Sequence, residues 1–131
     1  MKRLVYLSLV MLMVNFVACR KEVDHGQVAA VAAKGYYDLL LEGKYEDYVN
    51  GFYRPESIPQ SYHEQLVANA KMFVARQQDA RKGIMEVTVA NAKADTATHT
   101  ANVFLRFIYG DSTSEQVLVP MVEHDGKWLM R

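Results

Sequence analysis

The hydrophobic pattern changes its period partway along the chain. From about residue 25 to 42 the apolar positions recur at helical spacing: Val28, Ala32, Gly35 and Leu39 share a face, with Val31 and Leu40 beside it. Gly43 stands where a helix C-terminal glycine belongs. Tyr45, Tyr48, Val49 and Phe52 repeat the i, i+3, i+4, i+7 spacing of a second, shorter helix. Arg54-Pro55 ends it, because the residue before a proline avoids helical geometry. A third helix starts near Ser57–Ser61, capped either by Ser57 ahead of Pro59 or by the Ser61/Glu64 pair. Tyr62, Leu66, Ala70, Phe73 and Gln77 share its inner face, flanked by Val67 and Val74, and it ends near Asp79–Gly83.

Beyond Gly83 the period falls to two. Met85, Val87 and Val89 alternate with Glu86 and Thr88. Ala101, Val103, Leu105, Phe107 and Tyr109 alternate with Asn102, Phe104, Arg106 and Ile108. Val117, Val119 and Met121 alternate with Gln116, Leu118, Pro120 and Val122, and Lys127–Met130 is a last strand. Gly110-Asp111-Ser112 and Asp125-Gly126 supply hairpin turns, while Pro120 predicts an edge strand or a bulge. Three N-terminal helices followed by a four-stranded antiparallel meander is an α+β pattern.

The first residues follow a different logic. Met1-Lys2-Arg3 is positive, and Leu4 to Val14 is almost wholly apolar, which is the layout of an export signal and too short to span a bilayer as a helix. The run ends in Phe16-Val17-Ala18-Cys19, which resembles the lipobox of bacterial lipoproteins, with Phe16 in place of the usual leucine. Residues 1–18 are therefore expected to be a signal peptide, and Cys19, the chain's single cysteine, the lipidated first residue of the mature protein. Residues 19–26 form a tether ending in Gly26, and residues 27–131 the domain. Several acyl chains make such an anchor durable, at ~0.8 kcal/mol per buried methylene. Arg20 stands where an inner-membrane retention signal would have aspartate, so the expected location is the cell envelope, at the outer membrane, with the face left open.

Composition narrows the function. The 131 residues suffice for one domain, and 50% hydrophobic against 23% charged residues is an ordinary globular balance. The whole chain carries 15 basic and 15 acidic residues. The leader holds Lys2 and Arg3 and no acid, so the mature part has 13 against 15. That leaves no basic stripe for nucleic acid. The partners expected are the bilayer through acylated Cys19, a small apolar ligand or an envelope protein, and a second copy of the chain.

Ala32-Ala33-Lys34-Gly35-Tyr36-Tyr37-Asp38, Gly43-Lys44-Tyr45-Glu46-Asp47-Tyr48 and Gly126-Lys127-Trp128, in this order of helices and strands, resemble the nuclear transport factor 2-like (cystatin-like) superfamily, and within it small bacterial lipoproteins of unknown function. The similarity covers about residues 27–131. It implies a curved sheet wrapped around the helices as a cone with a cavity at its wider end, a scaffold that hosts isomerases, dehydratases, binders and interaction modules alike.

No chemical motif selects among these. His63-Glu64 opens like a zinc-protease helix, but Val67 occupies the position of the second histidine. His25, His63, His99 and His124 are scattered singly, so no metal is expected, and no cofactor either. Gly43-Lys44 lacks the glycine lead of a phosphate loop. Asp38, Glu86, His63 and His99 are candidate bases, and no spacing ties them to a tyrosine as a dyad. Lys71, Arg76, Arg81 and Lys82 cluster toward the end of the third helix, where cations suit the dipole. Trp128 reads as a core plug. Tyr45, Tyr48, Phe52, Tyr62 and Phe73 are candidate pocket-lining residues, or core rings with their phenols reaching water. The leading expectation is a membrane-anchored, non-catalytic binding domain. An isomerase- or hydratase-type enzyme is the second reading, and a dimeric accessory protein of the envelope the third.

Overall fold

A computed structural model describes residues 22–131, so the leader and Cys19 lie outside the described residues. The first helix, α1 (His25–Leu41), begins where the Asp24 carboxylate accepts the Gln27 N–H at 3.2 Å. It ends at Gly43, whose φ of 81° lets the Gly43 and Lys44 amides return to the carbonyls of Leu40 and Leu39, a Schellman closure. The helix α2 (Tyr45–Asn50) follows at once, then α3 (Gln60–Arg81). Neither serine caps α3: Pro59 occupies the cap position, and its carbonyl takes the Tyr62 and His63 amides at 3.1 Å each.

The strands β1 (Ile84–Asp95), β2 (Thr100–Tyr109), β3 (Ser114–His124) and β4 (Lys127–Met130) form one antiparallel meander in the order β1-β2-β3-β4, a curved open sheet. The α+β architecture is the one the periodicity predicts, with three differences of detail.

The buried face of α1 is not the valine face. Gly26, Ala29, Ala30, Ala33 and Leu40 are buried, whereas Val28 and Val31 are 46% and 63% exposed. Opposite lie Ala92, Ala94 and Ala101, small residues on the sheet. The contact is close enough that a methyl group on Gly26 would stand 3.3 Å from the Ala92 carbonyl oxygen. A larger side chain on that face would lift the helix off the sheet. Gly26, expected to close the tether, is therefore part of the packed domain.

The first strand is twice broken in register, between Ile84 and Glu86 and between Val89 and Asn91. The first irregularity turns Met85 outward, to 61% exposure, although alternation places it with Val87 and Val89. The second resets the phase, so that Ala92 and Ala94 rejoin the inner face.

Pro120 sits in an interior strand, and β2–β3 pairing runs past it without a bulge. Its carbonyl accepts the Arg131 amide at 3.1 Å, so its nitrogen faces the same side, where β4 has run out. The missing N–H costs β2 nothing.

On the concave side Val103, Leu105, Phe107, Tyr109, Met121, Trp128 and Met130 are buried against α1. Leu40, Val49 and Ala70 form a smaller cluster among the three helices. The segment after α2 is stitched to the last strand: Met130 N–H donates to Gly51 O at 2.8 Å and Tyr53 N–H to Met130 O at 2.7 Å. The Tyr36 ring lies flat against Gly51, and its hydroxyl donates to the Trp128 carbonyl at 2.7 Å.

A methyl group on Gly51 would meet the Cδ1 atom of that ring at 2.5 Å and Cε1 at 2.7 Å, and the ring is pinned at both ends. Gly51→Ala is expected to cost about 1–3 kcal/mol of unfolding free energy in a denaturant titration. Tyr36→Leu in the same chain should recover part of the loss, which a double-mutant cycle measures. A neutral Gly51→Ala would show that this contact is slack.

Candidate functional site

The three helices do not close completely on one another. Only Ala70 of the 22 residues of α3 is buried, and Leu66, Val67, Phe73 and Val74 are half-buried. Between α3, α2 and the segment after α2 lies a cleft of about 290 Å³ lined by Tyr48, Val49, Phe52, Arg54, Leu66, Asn69, Ala70 and Phe73. Six of these are apolar or aromatic. Arg54 and Asn69 are the polar groups.

A second recess of about 280 Å³ adjoins it and shares Val49, Phe52 and Arg54. Its other walls are mainly polar, with Asn50, Glu56, Ser57 and His63 beside Pro55 and Ile58. The two form an apolar chamber and a polar vestibule with Arg54 at the seam. No residue of the sheet lines either, because the concave face of the cone is filled by its own side chains. Both recesses lie among the helices and the segment after α2.

Of the five rings proposed from spacing, Tyr48, Phe52 and Phe73 line the chamber. Tyr45 lies on the other side of α2, its ring 5.8 Å from the Lys71 ammonium. Tyr62 is 51% exposed beyond the vestibule. The chamber's polar members, Arg54 and Asn69, are not among the five residues expected from spacing. Nothing in a period marks them, since Arg54 lies outside any helix and Asn69 is an exposed position on α3.

A chain of rings runs inward from the chamber. Phe52 and Tyr48 meet edge-on at 5.5 Å, Tyr48 and Tyr37 at 5.4 Å, and Tyr37 reaches Phe107 of the sheet at 5.3 Å. Phe107 meets Tyr109, over which Arg81 stacks at 4.6 Å; the Tyr109 hydroxyl donates to Glu115 at 2.8 Å. Burial pushes the Tyr37 phenol above its usual value, and the Tyr48 hydroxyl offsets part of that rise. Tyr48 is held far higher, by burial and then by the neighbouring Tyr37. Both rings stay neutral at physiological pH and bring no charge to the site.

The candidate bases are dispersed. Asp38 pairs with Lys34 at 2.6 Å on the surface of α1. Glu86 is exposed at the first β1 irregularity. His99 sits in a turn with its ring 3.6 Å from Glu123. His63 borders the vestibule, as does Ser57, with no hydrogen bond joining the two. Among the described residues no group of three or more histidine or acidic side chains is placed to hold a metal, and no helix is long and apolar enough to cross a membrane.

No family model matches the chain, and no curated protein matches it. Solved structures do. A protein from Campylobacter jejuni named as an NTF2-like transpeptidase superposes with a TM-score of 0.61 at 13% identity, covering 75% of this chain and 92% of that one. The fold is NTF2-like. At that identity the likeness carries architecture alone.

The raised phenols make a pH prediction. The folded chain keeps protons on Tyr37 and Tyr48 that the unfolded chain releases near pH 10. The native state then binds more protons than the unfolded one, so stability falls as pH rises through and beyond 10. Denaturant midpoints measured from pH 8 to 11 should drop above 10, and Tyr48→Phe should flatten the drop. An unchanged slope in that variant would remove Tyr48 from the account.

Proposed function

We propose that this chain is a lipoprotein, anchored at the outer membrane through acylated Cys19, whose NTF2-like domain binds a small, largely apolar molecule between α2 and α3. The observation that carries the binding reading is an apolar chamber opening onto a polar vestibule. Recesses of this kind, with few polar groups in a mainly apolar wall, are the usual form of small-molecule sites. The anchor rests on the positive start, the short apolar run and Phe16-Val17-Ala18-Cys19.

Catalysis is the weaker reading. The transpeptidase name of the Campylobacter jejuni protein implies a nucleophile with a base in reach, and here Ser57 and His63 share the vestibule without a hydrogen bond between them. Association of two copies has a specific observation in its favour. On the convex face of the sheet Phe104 lies opposite Leu118 and Val122 opposite Leu129, and Leu118 is 50% exposed.

Native mass spectrometry of residues 22–131 purified from cell extract separates these. The binding reading expects a retained small mass on the unaltered domain and its loss in Leu66→Trp, whose larger ring occupies the chamber. The association reading expects twice the chain mass. A bare monomer that also fails to take up an apolar fluorescent probe would contradict both.

The anchor has its own test. Cells fed a fatty-acid probe should label the unaltered chain and leave Cys19→Ser unlabelled, with the variant leaving the membrane fraction. Equal labelling of the two chains excludes Cys19 as the acceptor.

A further inference from the structure

The two polar groups in the wall of the apolar chamber are both hydrogen-bond donors. The Asn69 carbonyl oxygen accepts the Gln65 side-chain amide at 2.9 Å, and its NH₂ group makes no hydrogen bond among the described residues. Arg54 has five N–H donors and no acceptor. Its guanidinium stands 5.8 Å over the Phe52 ring, and among the described residues it makes no ion pair. Arg54 lines both the chamber and the vestibule, so its charge sits where the apolar space meets water.

A single cation where the apolar slot meets water complements a head group that carries one negative charge and only accepts, and an ionised carboxylate is such a group. An ammonium head is repelled by Arg54, and an alcohol engages the donors without charge. A doubly charged phosphate fits less well. Arg54 is the one arginine or lysine of the chamber and vestibule walls, and Glu56 adds a carboxylate to the vestibule. The chamber, at about 290 Å³, lies at the lower edge of the roughly 300–1,000 Å³ usual for ligand sites. It has room for one short tail and not for the paired chains of a phospholipid.

We infer that the cleft is a site for a single-tailed carboxylic acid, its chain among Tyr48, Val49, Phe52, Leu66, Ala70 and Phe73 and its carboxylate on Arg54. This rests on the binding reading above and names the ligand class of the same site.

The test is calorimetric titration of the full chain in phosphatidylcholine nanodiscs at pH 7, with empty nanodiscs as the blank. Octanoate, octanol and octylamine serve as acid, neutral and cationic probes of one tail length. Octanoate should bind at least about tenfold tighter than octanol, the worth of one charge-assisted hydrogen bond, and octylamine weakest. Arg54→Gln should erase the preference for octanoate over octanol, and Arg54→Lys should keep part of it. Equal binding of octanoate and octanol by the unaltered chain overturns the inference, as does a preference that survives Arg54→Gln; either result leaves apolar binding standing. Absence of saturable binding by both overturns the binding reading itself. Should Arg54→Gln fail to fold, the octanoate-to-octanol ratio in the unaltered chain and in Arg54→Lys decides.

Discussion

The rest of this structure depends on how closely α1 lies against the sheet. Gly26, Ala29, Ala30 and Ala33 meet Ala92, Ala94 and Ala101 with almost nothing between the two backbones. That contact buries little apolar area per residue, so its value is positional. It fixes the height and direction of α1, and thereby where Tyr36 and Tyr37 point a few residues later. Tyr36 turns to Gly51 and the Trp128 carbonyl, and Tyr37 to Tyr48 and Phe107. Adjacent residues on one helix thus tie α2 to both the last strand and the centre of the sheet.

The site follows from that arrangement. With α2 pinned to the sheet by two tyrosines and its exit stitched to β4, the remaining freedom belongs to α3. This helix has one buried residue and rests on the small cluster of Leu40, Val49 and Ala70. A 22-residue helix held along part of its length leaves a gap where it diverges, and the gap carries Arg54 at its mouth. Rigid walls on the α2 side and a lightly packed helix on the other suit a site that admits a ligand without unfolding the core. The cone, in contrast, is closed by Trp128, Met121, Met130 and Phe107.

Much of the fold was legible because periodicity reports burial. The second half of α3 and the inner register of β2 were read residue by residue, and the Asp125-Gly126 turn has the positive φ values, 51° and 74°, that its composition demands. Reading failed where volume and burial part company. Valines on α1 looked like the core face, and the alanines were passed over because a small side chain is uninformative until its opposing surface is known. Met85 was misplaced because one extra residue in a strand inverts the alternation. The capping pair Asp24 and Gln27 was present in the sequence as a helix-start signal and escaped notice beside the tether.

What the chain alone determined is what local chemistry controls: the period of each element, the glycines that stop helices and turn hairpins, and the apolar register of the sheet. The tertiary structure decided everything that requires two segments to meet. It selected which face of α1 is buried and which three of five rings line the cleft between α2 and α3. Arg54 and Asn69 acquire a role only there. Each is an ordinary polar residue by its place in the chain, and they share one wall because α3 packs beside the segment after α2.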